Sequence, residues 1–154
     1  MLFGYLCSNL CFKFLSCLAP TVNFQVGNIA SLPFKITDDL NLKNRINKLV
    51  SENIKICKEE WSFYETTLEF KAHPFFKSKF KENTLEKTLN NFEKYYNNLR
   101  MTLRKNEEEL NQIYAKIFDV EEDIDYSVND RDLTIKPFDK NEFLRSYLSY
   151  IARM

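Results

Sequence analysis

The stretch from Leu85 to Phe118, LEKTLNNFEKYYNNLRMTLRKNEEELNQIYAKIF, decides the fold. Its apolar residues recur at alternating steps of four and three: Leu85, Leu89, Phe92, Tyr96, Leu99 and Leu103, then Leu110, Ile113 and Ile117. Asn106 stands in the one place where an apolar residue is due. This heptad rhythm predicts a long helix with a narrow seam that must lie against another helix. An Asn in such a seam either fixes register or marks where the seam opens.

The partner lies upstream. Asp38 or Asp39 can cap a helix running to about Lys71, with Leu42, Ile46, Leu49, Val50, Ile54, Cys57, Trp61, Tyr64 and Leu68 on one broad face. Such a helix would be roughly 50 Å long. His73-Pro74 breaks it, because proline restricts the residue before it and cannot continue the ladder. Asn83-Thr84-Leu85-Glu86 then reads as a capping box, Glu86 reaching back to Asn83. Two long helices joined by a short link fold back most simply as an antiparallel hairpin.

The flanks are shorter. Residues 2–18 are apolar nearly all round in helical spacing and predict a core helix that expects cover on most sides. Val22, Phe24 and Val26 alternate with polar residues and predict a half-buried strand stopping at Gly27. Leu133 and Ile135 suggest another short strand before Pro137. Asp139-Lys140-Asn141-Glu142 opens a last helix with Phe143, Leu144, Tyr147, Leu148 and Ile151, and nothing stops it before Met154, as in a chain cut within its own helix. The expected fold is therefore mainly α: a long antiparallel, coiled-coil-like hairpin, an N-terminal helix–strand segment before it and a truncated helix after it.

Composition agrees with few, long elements. Only 2 glycines and 4 prolines punctuate 154 residues, while 14 Phe and 8 Tyr supply rings to pack between helices. Net charge is zero but unevenly spread. Residues 35–105 hold 15 Lys and Arg against 10 Asp and Glu, and residues 107–132 hold two basic against ten acidic. A basic body is compatible with a phosphate backbone without demanding one. Cys7, Cys11, Cys17 and Cys57 form no CxxC pair and are read as buried free thiols of a reducing cytosol. The apolar start lacks a basic n-region and a small-x-small cleavage site, and is too short and too polar to span a bilayer. The expected location is the cytoplasm, with no membrane partner.

Chemistry-bearing motifs are missing from the sequence: no Gly-rich phosphate loop, no nucleophile beside a base, no ligand cluster with metal spacing. No catalytic, cofactor or metal residue is assigned. His73, the sole histidine, is read as a cap or surface residue, Glu107-Glu108-Glu109 as solvated helix surface. The acidic run from Asp119 to Asp125 lacks the glycine of a calcium loop. The best partner-binding feature is the stretch from Lys71 to Lys81. There Lys71, Lys77, Lys79 and Lys81 interleave with Phe75, Phe76 and Phe80, a pattern that could neutralise the phosphates of a nucleic-acid backbone while the rings pack or stack. The other reading is a bend whose rings plug the core while the lysines stay in water.

Four separated strings resemble one family. Pro20-Thr21-Val22-Asn23-Phe24-Gln25-Val26-Gly27-Asn28-Ile29-Ala30-Ser31-Leu32-Pro33 is similar to the segment closing the body of large adenine-specific DNA methyltransferases, of the BREX phage-defence PglX and single-chain restriction-modification type. Trp61-Ser62-Phe63-Tyr64-Glu65-Thr66-Thr67-Leu68-Glu69-Phe70 resembles a family string that usually reads Trp-Asp-Ser-Phe-Glu-Thr-Ser-Trp-Asp-Phe. It keeps Trp61, Glu65, Thr66 and Phe70. The run from Asn106 to Phe118 and the string Asp132-Leu133-Thr134-Ile135 continue the likeness.

The resemblance implies a fragment: residues 1–36 as the end of the methyltransferase and recognition body, 38–126 as a helical spacer, 127–154 as a short strand and the start of a truncated helix. Its partner would be DNA, engaged through the parent enzyme, and the parent's cofactor would be S-adenosylmethionine. The family's Gly-rich cofactor motif and Asn-Pro-Pro-Tyr catalytic motif are absent, so no catalytic residue carries over. The rival reading is an independent coiled-coil interaction module, binding a partner helix or a second copy through exposed apolar surface. A functionless gene remnant is a third.

Overall fold

The structure is a computed structural model and describes residues 1–19 and 23–154. Among them the chain is mainly helical and contains no strand. Helix α1 spans Leu2–Leu6, α2 Asn9–Leu18, α3 Val26–Ala30, α4 Leu40–Trp61, α5 Leu85–Phe118 and α6 Lys140–Ala152. Two compact units form, one of Met1–Asn53 with Arg104–Val128, the other of Ile54–Leu103 with Asn129–Met154.

In the first unit α4 and α5 run antiparallel: Arg45 pairs with Glu109, and Asn53 with Asn106. The core gathers Tyr5, Leu10, Ile46, Leu49, Leu110 and Tyr114. Asn106 is buried, its amide donating to Asn53 Oδ1 at 2.9 Å and to Glu52 Oε2 at 3.1 Å. The seam stays closed there. On the far side of α5, buried Asn111 accepts the Asn9 backbone N–H at 2.9 Å and donates to the Tyr126 carbonyl, while the Asn9 amide reaches the carbonyls of Asp125 and Ser127. This clasp ties α2 and the acidic segment to α5 with few polar groups left unmet.

In the second unit the same two helices remain antiparallel, with Glu59 opposite Tyr95 and Phe63 opposite Phe92. The core is aromatic. Phe92 stacks on Phe143 at 4.4 Å and meets Phe63 and Phe80 edge-on at 5.1 and 5.0 Å. Tyr96 donates to Glu60 and to the Lys136 carbonyl, and desolvation raises its phenol to about 12.

Several expectations are corrected. The predicted helix over residues 2–18 is two helices, because Ser8 turns extended, accepts the Cys11 N–H and donates to the Tyr5 carbonyl. The helix expected to reach Lys71 stops at Trp61. Thr67 Oγ1 takes the carbonyls of Trp61 and Tyr64, so a hydroxyl satisfies the ends that another turn would have used. The inward face of α4 is also narrower than expected. It follows Ile46, Leu49, Asn53, Ile56 and Glu60, continuing to Phe63 just past the helix end, a strict 3.5-residue repeat, and leaves Ile54, Trp61 and Leu68 exposed.

Neither short strand forms among the described residues. Val22 lies outside them; Gln25 N–H bonds Asn28 Oδ1 and Val26 opens α3 with its side chain in solvent. Leu133 and Ile135 are buried in an irregular turn. The cap of α5 is Thr84 rather than Asn83, its Oγ1 accepting from Lys87. The caps Asp39 and Asp139 stand as expected. Of the cysteines, Cys11 is buried, but Cys7 and Cys17 are exposed.

Candidate functional site

The lysine–phenylalanine stretch belongs to the second unit. It turns through a short 3₁₀ helix, Pro74–Phe76, which His73 caps by accepting the Phe75 N–H on Nδ1 at 3.3 Å. Proline at the first position fits, since that N–H would have no helical partner. His73 is buried, not a surface residue. Phe143 and Tyr147 pack on its ring at 4.7 and 5.2 Å, and desolvation lowers its pKa to about 4. With Nδ1 accepting, the proton sits on Nε2, which has no hydrogen-bond partner.

Two of the three rings are structural. Phe75 is buried on Phe143 and Tyr147, and Phe80 on Phe92 and Tyr95. These plug the core. Phe76 keeps about half of its surface in solvent beside Tyr150.

The four lysines are not equivalent. Lys79 Nζ bonds Glu59 at 2.7 Å and lies 4.0 Å from the Tyr95 ring centroid, a packed cation–π contact. Tyr95 donates to the same carboxylate at 2.6 Å. Burial would raise the Glu59 carboxyl, but the hydrogen bonds from Lys79 and Tyr95 hold it below the usual range. Lys77 sits 5.1 Å over Phe63, and burial together with the Lys79 charge lowers its pKa. Lys71 and Lys81 are exposed. Lys81 borders a shallow groove of about 200 Å³ shared with Phe75, Thr84, Thr88 and Tyr147. Glu59 and Tyr95, which position Lys79, carried no signal in the sequence, since they stand 20 and 16 residues away from it.

The acidic run on α5, in the first unit, is more than solvated surface. Glu109 forms a two-pronged bond with Arg45, Glu108 accepts the Val128 N–H, and Glu107 is desolvated enough to raise its pKa to about 7. Lys13 bonds the Asp123 carbonyl and Lys35 the Asp119 carboxylate. Among the described residues no group of three or more His, Cys, Asp or Glu is placed to hold a metal ion, and no helix is long and apolar enough to cross a membrane.

These features define a helical scaffold whose lysines offer charge and whose rings supply packing. The chain matches no known family profile and no solved structure. It is 22% identical over 150 residues to the adenine-specific methyltransferase PglX of Lacticaseibacillus casei (strain Zhang), a match that covers 96% of this chain and 12% of that protein. The relationship to that protein is distant, and the chain spans about an eighth of its length.

Proposed function

We propose that this chain is a segment of a site-specific adenine-N6 DNA methyltransferase of a restriction-modification or phage-defence system. It supplies a helical spacer that supports DNA recognition, and catalysis lies elsewhere in the larger polypeptide. One observation carries the reading: a single similarity runs through 96% of the chain yet takes in only 12% of the methyltransferase. An antiparallel helical pair suits that role, because within the first unit the seam is closed by buried Asn106 and Leu110 against α4.

On this reading Lys71, Lys77 and Lys81 neutralise phosphates, while Lys79, braced by Glu59 and Tyr95, fixes the turn that presents them and adds its own charge. Base readout and S-adenosylmethionine binding belong to the rest of the enzyme, in the cytoplasm where its DNA lies. The test is an assay of the purified chain with S-adenosylmethionine and duplex DNA. No cofactor binding by calorimetry and no methyl transfer are expected; cofactor-dependent methylation would refute the division of labour.

A further inference from the structure

Residues 1–34 contain a single charged side chain, Lys13, and its ammonium is engaged by the Asp123 carbonyl. On the first unit these residues expose large apolar groups. Phe12 of α2 is 63% exposed and meets Phe24 edge-on at 6.3 Å; Leu18 at the end of α2, and Val26 and Ile29 of α3, are exposed as well. Each half-exposed aromatic ring presents on the order of 100 Å². Neighbouring exposed apolar groups of this kind are a mark of a protein contact surface. It carries no charge with which to attract nucleic acid or a polar peptide. Its complement is an apolar protein surface.

We propose that this face is the seat of the rest of a methyltransferase polypeptide, so that α2 and α3 dock the helical pair onto the body that holds the reaction. This rests on the function proposed above. The occupant follows from length: the methyltransferase similar to this chain carries about seven times as much polypeptide outside the matched segment as within it. Burying these five side chains favours docking by removing apolar surface from water.

Hydroxyl-radical footprinting read by mass spectrometry tests this on two intact proteins, this chain and the L. casei methyltransferase. In this chain Phe12, Phe24 and Ile29 should label readily, at a rate independent of protein concentration. In the methyltransferase the residues aligned with them should be shielded from labelling. Three results overturn the proposal: protection in this chain at every concentration, which means its own residues cover the face; protection that grows with concentration, which means a second copy does; or free labelling in the methyltransferase. A control variant, Phe12→Ser, should leave the thermal midpoint of this chain unchanged, because the ring it removes is solvent-facing; a large drop would also count against the proposal. Methylation and DNA binding are read separately, so failure of the docking face and failure of the spacer function remain distinguishable.

Discussion

The Asn106 side-chain amide donates to Asn53 Oδ1 at 2.9 Å, joining the two heptad seams through their polar positions in the first unit. A buried Asn without its partner costs about 1–3 kcal/mol, whereas the pair together specifies register. Asn106→Ala should therefore lower unfolding free energy by about 1–3 kcal/mol in urea melts. A double-mutant cycle with Asn53→Ala should return a coupling of about 0.5–1.5 kcal/mol. Independent, additive effects would mean the pairing contributes nothing specific.

Gly4 lets α1 approach the long helices. A Cβ built there would lie 2.7 Å from Val50 Cγ2 and 3.0 Å from the Tyr114 hydroxyl, which donates to the Met1 carbonyl. Valine is stiff and the tyrosine is fixed by that bond. Gly4→Ala should cost about 1–3 kcal/mol by overpacking, despite alanine's better helix propensity. A stability gain on thermal melting would contradict the close approach.

Asp119 is the left-handed residue after α5, with φ of 59°, and the Val120 N–H returns to the Ala115 carbonyl in a helix-ending turn. Asp119→Gly relieves the Cβ strain and removes a negative charge from a helix C-terminus, while giving up an exposed ion pair with Lys35. A gain of about 0.5–1 kcal/mol is expected in chemical denaturation.

Two desolvated titrating groups, the half-buried Glu107 and the buried His73, give opposite pH dependences. Glu107 keeps its proton up to about pH 7 in the folded chain and gives it up near 4.5 when unfolded. The folded state holds the extra proton in that window, so this contribution to stability fades as pH rises from 4.5 through 7. His73 is the reverse. Its folded pKa of about 4 lies below the ordinary 6.5, so stability falls as pH drops from 6.5 towards 4. Glu107→Gln should remove the first dependence and raise stability at about pH 8 by about 1 kcal/mol after allowing for solvent screening. The single histidine should remain neutral at about pH 5.5, above its folded pKa, with its proton on Nε2, as read by nitrogen-15 NMR.

Most of the seam of α5 was legible, since Phe92, Tyr96, Leu103, Leu110 and Ile117 are buried and the one polar position is the Asn that pairs. Leu85, however, stays half exposed, and the buried Tyr114 lies off the expected stripe. The face of α4 was not legible. There the inward positions include Asn53 and Glu60, while Ile54 and Trp61 beside them point outward. Following apolar residues leads to the wrong stripe when the true one holds polar residues satisfied across the seam. The breaks at Ser8 and after Trp61 were hidden for a related reason: hydroxyls that cap carbonyls look like ordinary helix residues until their targets are known. In the candidate site, the lysines were visible as a cluster, but Phe75 and Phe80 owe their burial to α5 and α6, which no local pattern announces.

The most direct test of the spacer account is fluorescence anisotropy of this chain on labelled duplex DNA over a salt series, with and without Lys71→Ala, Lys77→Ala and Lys81→Ala combined. Affinity should fall linearly with the logarithm of salt, and the triple variant should flatten that slope by about 0.9 for each phosphate no longer neutralised. Binding that ignores ionic strength, or a slope unmoved by the three substitutions, would contradict it.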